Sequence, residues 1–118
     1  MRDVKKLHVW HKALALALAV DRLTKRIKPS QYRSLKHQIF RAGLSIPANI
    51  AEGRRRESAK DFAKFLSIAA GSSSELESHL IFAREARLIP ESGFVSIISQ
   101  TIEVRKMLYG LMKRLAEE

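Results

Sequence analysis

Apolar residues recur at spacings of three and four along most of the chain, which is the pattern of helices that bury one face. Four such segments can be read, and only short breaks separate them. The sequence therefore predicts an all-α protein, an up-and-down antiparallel four-helix bundle in which residues 1–118 form a single domain. The predicted helices cover residues 7–27, 30–53, 58–87 and 90–115.

Prolines and serines mark the predicted boundaries of these helices. Pro29 cannot continue the first helix, and Ser30 after it is the expected N-cap of the second. Ser58 is the expected N-cap of the third, since its hydroxyl can accept from the amide of Asp61. Pro90 suits the first helical position of the fourth. The breaks between the four helices are thus predicted from local chemistry.

Pro47 lies inside the pattern of the second helix. It lacks an amide donor and crowds the carbonyl of Gly43, so the sequence predicts either a kink near residues 43–47 or two shorter helices that meet there. The sequence leaves both outcomes open.

A run of small residues at 69–74, Ala-Ala-Gly-Ser-Ser-Ser, lies in the middle of the third predicted helix. Glycine and serine weaken a helix, so a close contact with another helix is the favoured explanation, with Ser72 and Ser73 at the contact. A phosphate-binding loop is the weaker interpretation, because no Gly-Lys-Ser/Thr motif follows.

The residue types needed for catalysis do not form a recognisable set. The chain has no cysteine and four histidines, His8, His11, His37 and His79. His8 and His11 could share a helix face, but no acidic residue accompanies them at metal-ligand spacing. Glu75 is two residues from Glu77, so their carboxylates diverge on a helix. We therefore expect no catalytic residue, no metal site, no cofactor and no small-molecule substrate, and hence no enzyme.

Charge is the first indication of function. The chain has 22 Lys and Arg residues against 12 Asp and Glu residues, a net charge of +10. Residues 1–60 contain 15 of the cations and only 4 of the acids, which favours an anionic partner. A solvated basic surface that only maintains solubility is the alternative.

The cations cluster on the second helix and at the break before the third. Arginine can bind phosphates through two hydrogen bonds, and clustered cations gain affinity by releasing counterions. The sequence thus predicts contact with RNA or DNA backbone, with little sequence preference. The alternative is a structural or protein-interaction module that meets an acidic protein. The predicted contact residues are Arg33, Lys36, Arg41, Arg54, Arg55, Arg56, Lys60 and Lys64.

Several blocks resemble one known family. Residues 44–53, Leu-Ser-Ile-Pro-Ala-Asn-Ile-Ala-Glu-Gly, are similar to its central motif, and residues 7–13, Leu-His-Val-Trp-His-Lys-Ala, are similar to its opening motif. Residues 58–62, 65–69, 71–77 and 106–111 agree in the same order. The chain resembles the 23S rRNA-intervening-sequence proteins, also called the S-twenty-three ribosomal protein family, over essentially its whole length.

The resemblance implies a left-handed up-and-down bundle and a ring-shaped homopentamer. A related basic bundle, the accessory protein of diversity-generating retroelements, binds nucleic acid and a reverse transcriptase, which supports nucleic-acid binding by analogy. The chain departs from the family at Ser34, where glycine is common, and at Phe40, where an arginine often stands. The absence of an arginine at position 40 weakens the case for binding by the second helix.

The expected partners are therefore other copies of the chain, with five as the best value, and RNA or DNA. No membrane partner is expected, since the apolar stretch at residues 13–20 is too short to span a bilayer. The charged beginning of the chain, Met1-Arg2-Asp3, does not look like a secretion signal, so we expect a cytoplasmic protein.

Overall fold

A computed structural model describes residues 7–118 of the chain. These residues contain four α-helices and no strand, with one turn of 3₁₀ helix, Ser30–Tyr32, before the second α-helix. The all-α prediction is confirmed. The helices are α1 His8–Thr24, α2 Arg33–Arg54, α3 Ala59–Glu85 and α4 Glu91–Ala116.

The helices form the predicted up-and-down bundle. Each helix packs against the next in the chain, and α1 also packs against α4, while no Cα atoms of diagonal helices approach within 8 Å among the described residues. A salt bridge of 3.1 Å between Lys12 Nζ and Glu103 Oε1 joins α1 to α4 at the surface. The α1–α2 edge and the α3–α4 edge therefore lie on opposite sides of the bundle.

The predicted apolar stripes form the core. They supply fully buried side chains from every helix, among them Leu16, Ile46, Phe62 and Leu108. Where α1 and α2 cross, a side chain on Gly43 would place its Cβ 3.1 Å from Val20 Cγ1, so the two helices approach closely there. This contact fixes the level at which α1 and α2 run past each other.

The end of the first helix differs from the prediction. The helix stops at Thr24 instead of residue 27, because the amides of Arg26 and Ile27 donate to the carbonyls of Leu23 and Thr24, three residues back, at 3.0 Å. This tighter turn still buries Ile27. The apolar pattern therefore continues to Ile27, which is buried although it lies beyond the end of the helix.

The start of α2 also differs. Ser30 is not its N-cap, because residues 30–32 form the separate 3₁₀ turn and α2 begins at Arg33 without a side-chain cap. The helix then runs through Pro47 without a break, so the alternative of two shorter helices is wrong. Gly53, the predicted end, lies inside the helix, which continues for one more residue.

Gly53 is required by packing instead of by helix termination. A Cβ at this position would lie 2.7 Å from Phe65 Cβ and 3.2 Å from the carbonyl oxygen of Phe62. Both atoms belong to α3, so any side chain larger than hydrogen would force the two helices apart.

The predicted cap of α3 is confirmed, since the amide of Asp61 donates to Ser58 Oγ at 3.0 Å. Pro90 takes the extended conformation one position before α4, so the helix begins at Glu91 and not at the proline.

The small-residue run of α3, residues 69–74, contains both buried and exposed side chains. Ala69, Ala70 and Ser73 are buried, while Gly71 and Ser74 are exposed.

Candidate nucleic-acid interface

The predicted basic residues between α2 and α3 lie on a short turn at one end of the bundle. Arg55 and Arg56 are exposed in the turn, and Lys60 and Lys64 are exposed on the first two turns of α3. We call these four residues the turn cluster. Their exposure leaves the charged groups accessible to a partner.

Two members of the turn cluster already have acidic partners. Arg56 Nη2 donates to Glu52 Oε2 at 2.9 Å, and its guanidinium carbon lies 4.6 Å from the centre of the Phe65 ring. Lys64 Nζ lies 3.8 Å from Asp61 Oδ1. Both ion pairs are exposed, so each is worth only about 0.2–1 kcal/mol and can yield to a phosphate.

The other two members have no such partner. The side chains of Arg55 and Lys60 form neither a hydrogen bond nor an ion pair with any of residues 7–118. They are the cations of the turn cluster whose charge is available without breaking an existing contact.

Arg54 does not share this exposure, and the prediction that it lies on an open turn is wrong. Only 5% of the residue is exposed, and its buried Nε has no hydrogen-bond partner. The cause is the extra helical residue after Gly53. Arg54 lies seven residues after Pro47 and eleven residues after Gly43, so it shares their side of α2. That side faces α1, because Gly43 lies against Val20.

The predicted cations of α2 form a separate group. Arg33 and Arg41 are exposed and Lys36 is half-buried. At 1.5 Å per residue, Arg41 lies about 20 Å along the helix from Arg55. The fold therefore does not bring these three residues, which we call the α2 cations, together with the turn cluster.

Two cations that sequence reasoning missed lie at the same end of the bundle as the turn cluster. Lys113 and Arg114 are exposed in the last turn of α4. Hydrogen bonds from Arg105 to Ser73 and Glu77 fix the antiparallel register of α3 and α4, and that register carries the end of α4 to the beginning of α3. Only this register shows that they share one end of the bundle, because the residues are far apart in the chain; Arg114 itself lines a groove with His8 and Val9 of α1.

The small-residue run contributes to that register. Ser73 is fully buried, and its Oγ donates to the carbonyl of Ala70 at 2.6 Å while accepting from Arg105 Nε at 2.8 Å. Ser72 and Ser45 bring their hydroxyl oxygens within 2.8 Å between α3 and α2. The predicted close helix contact at Ser72 and Ser73 is confirmed.

The groups considered for catalysis do not converge. Glu77 turns toward α4 and pairs with Arg105 at 2.6 Å, whereas Glu75 Oε2 lies 3.8 Å from His79 Nε2. Within residues 7–118 no three His, Asp or Glu side chains are placed to hold a metal ion. Nor is any helix of that region long and apolar enough to cross a membrane.

Comparison with known proteins identifies relatives. The profile of the 23S rRNA-intervening sequence protein family matches residues 5–110. A crystal structure from Bacteroides thetaiotaomicron VPI-5482, of a protein with unknown function from the S23 ribosomal protein family, superposes with a TM-score of 0.83. It is 31% identical, and the match covers 89% of this chain and 98% of that one. No curated protein matches the sequence.

Proposed function

The chain belongs to the 23S rRNA-intervening sequence protein family, and from that premise we propose that it is a non-enzymatic bundle that self-associates and binds RNA or DNA backbone. The observation that carries the proposal is the turn cluster, which gathers four exposed cations at one end of the bundle. We place this activity in the cytoplasm.

The chemistry of the turn cluster fits a phosphate backbone better than it fits bases. Arg55 supplies a fork of donors that matches phosphate geometry, and Lys60 supplies a point charge one turn into α3. No exposed aromatic side chain lies within the cluster itself, so base stacking contributes little. Binding is therefore expected to be weakly dependent on sequence and strongly dependent on salt.

The α2 cations provide a second predicted contact. Arg33 and Arg41 are exposed, so both can reach a backbone that runs along α2. Their distance from the turn cluster means that one short oligonucleotide would not engage both groups on the same copy. We therefore rest the proposal on the turn cluster and treat the α2 cations as separable.

Self-association would multiply these contacts. Nine large hydrophobic side chains are exposed on the described bundle, including Leu18, Phe82 and Tyr109, and association of copies would remove part of this apolar surface from water. The family resemblance favours five copies. In a closed ring each copy presents one turn cluster, and weak contacts add through avidity.

The test is a triple variant with a matched control. Arg55→Ala/Arg56→Ala/Lys60→Ala removes three cations from the turn cluster, while Lys25→Ala/Arg26→Ala/Lys28→Ala removes the same charge from the exposed segment after α1. Filter binding to unrelated RNA and DNA sequences should weaken at least tenfold for the first variant and much less for the second. If both variants lose the same affinity, binding depends on net charge alone and the proposal that the turn cluster is the binding site is wrong. Recovery of an acidic protein without nucleic acid would support a protein-interaction module instead.

A further inference from the structure

Arg54, at the end of α2, is a buried cation without a partner. Only 5% of the residue is exposed, and its buried Nε makes no hydrogen bond. Its side chain forms neither a hydrogen bond nor an ion pair with any of residues 7–118. A buried charge is costly unless an acceptor compensates it, and a guanidinium cannot lose its proton. Arg54 therefore needs an acceptor that the described fold does not supply.

The packing of α1 on α2 places Arg54 beside the first turn of α1. Val20 of α1 meets Gly43 of α2, since a Cβ on Gly43 would lie 3.1 Å from Val20 Cγ1. Arg54 lies eleven residues after Gly43, and Val9 lies eleven residues before Val20. Eleven residues make about three helical turns, or about 17 Å, so in two antiparallel helices Arg54 and Val9 return to the same contact line at the same level. Both residues are buried, as that contact requires.

The first turn of α1 carries no negative charge. It contains no acidic residue, and its N-cap, Leu7, makes no side-chain cap. The amides of His8 and Val9 have no acceptor among residues 7–118. Free amides and aligned peptide dipoles make the start of a helix positive. Arg54 and the start of α1 thus bring hydrogen-bond donors to the same place.

Helix α4 adds positive charge on another side of the same helix start. A groove of about 450 Å³ lies between the start of α1 and the end of α4, and it is lined by Lys106 and Arg114 and by apolar side chains such as Met107. No Asp or Glu lines this groove. Lys106 and Arg114 are exposed and form no ion pair within the described part of the chain. Cations from α2 and α4 therefore flank the start of α1, and the groove leaves room beside it.

We propose that Arg54 and the start of α1 form a binding site for one phosphate group. The guanidinium of Arg54 and the amides of His8 and Val9 donate to the phosphate oxygens, which supplies the acceptor that Arg54 lacks. A phosphate suits this site better than a carboxylate, because its three terminal oxygens can accept from both helices and it carries up to two negative charges. The site is separate from the turn cluster, whose cations are exposed.

The burial of Arg54 favours a phosphate at the end of a molecule. A phosphodiester carries one negative charge and a ribose on each side, so it enters a narrow site between two helices less readily. Free phosphate and the terminal phosphate of a nucleic acid share the chemistry that the site requires. In nucleic-acid binding the site would hold the end of a strand while the turn cluster holds its backbone. That role rests on the proposed function, whereas binding of a phosphate group does not.

Thermal unfolding in inorganic phosphate tests the site without nucleic acid. At equal ionic strength, phosphate should raise the melting temperature of the wild type by about 3 °C or more relative to chloride, because it binds the folded state. Arg54→Met removes the charge and should lose this shift. Arg54→Lys keeps the charge without the fork of donors and should lose most of it. Arg22→Met is the matched control, since Arg22 is exposed on α1 and forms no ion pair among the described residues, and it should respond as the wild type does.

The stability of Arg54→Met in buffer without phosphate provides a second measurement. Because an unpaired buried charge destabilises the folded state, its removal should raise the melting temperature by about 3 °C. Circular dichroism checks that the variants fold. A melting temperature below that of the wild type would show that Arg54 has a structural partner outside residues 7–118 and would overturn the site. Equal shifts from phosphate and acetate, or equal phosphate shifts in the wild type and Arg54→Met, would overturn it as well.

Oligonucleotides distinguish the two sources of the phosphate. A strand with a 5′-terminal phosphate should bind the wild type about tenfold more tightly than the same strand with a 5′-hydroxyl, and Arg54→Met should bind both equally. If phosphate stabilises the protein but the two strands bind equally, the site takes free phosphate or a small phosphate ester. If neither strand binds while phosphate still stabilises the wild type, the proposed function fails and the phosphate site stands.

Discussion

Two arginines illustrate the difference between the proposed binding surface and the contacts that hold the helices together. Arg105, between α3 and α4, donates to Ser73 Oγ at 2.8 Å and to Glu77 Oε1 at 2.6 Å. Arg55, in the turn before α3, is exposed, and its side chain contacts no acceptor among residues 7–118. The same side chain thus fixes the register of two helices in one place and remains available to a phosphate in the other.

The two sites differ in how many hydrogen bonds the guanidinium group already makes within the fold. A partly buried guanidinium that makes three hydrogen bonds, as Arg105 does, stabilises the fold and is costly to remove. An exposed, unpaired guanidinium contributes little to stability and can bind without breaking anything. Substitutions at the two sites should therefore change different measurements, stability at the α3–α4 contact and affinity at the turn.

The largest stability effect should come from Ser73→Leu. Leucine has no room in this fully buried position, and it also removes the hydroxyl that Arg105 uses. We expect a destabilisation of about 1–3 kcal/mol from overpacking alone. Thermal unfolding measures it, and an unchanged melting temperature would mean that the helices do not approach closely there. Ser74→Leu is the matched control, since Ser74 is exposed.

Arg105→Met should have an intermediate effect. It keeps much of the aliphatic length but leaves Glu77 without its partner, and hydrogen bonds to charged groups contribute about 1.5–3 kcal/mol each. Because both side chains retain some exposure, the lower end of that range is expected. Urea denaturation provides the measurement. If Arg105→Met and Glu77→Gln destabilise additively in the double variant, the two residues are not coupled.

Arg55→Ala should have the smallest effect on stability, within about 0.5 kcal/mol, because the side chain is exposed and unpaired. The same substitution should lower affinity for nucleic acid measurably. Urea denaturation and filter binding on one protein preparation provide both values. A large decrease in stability would place Arg55 in the structure of the turn and remove it from the proposed binding surface.

Local signals in the sequence were sufficient for the helices and their core. Ser58 and Asp61 form the predicted cap because both partners lie within four residues of each other. The buried apolar positions follow from helical periodicity alone. Together with the other motifs, residues 44–53 were enough to predict the family. These features require no knowledge of how the helices pack.

Features that depend on packing were not predictable in the same way. Gly53 was interpreted as the end of α2, but the close approach of Phe62 and Phe65 explains the glycine, and the longer helix buries Arg54. That Lys113 lies at the same end of the bundle as the turn cluster depends on the α3–α4 register, which no local pattern encodes. Binding of nucleic acid and the number of copies remain predictions.

The central claim is that the turn cluster binds phosphates, and the salt dependence of binding tests it most directly. The affinity for one RNA and one unrelated DNA should be measured from low to high salt for the wild type and for Arg55→Ala/Arg56→Ala/Lys60→Ala. We expect similar affinities for both ligands, and a slope of log affinity against log salt that becomes shallower by about 0.7–0.9 for each phosphate that the variant no longer neutralises. A wild type that binds neither ligand at low salt, or a variant with the wild-type slope, would contradict the claim.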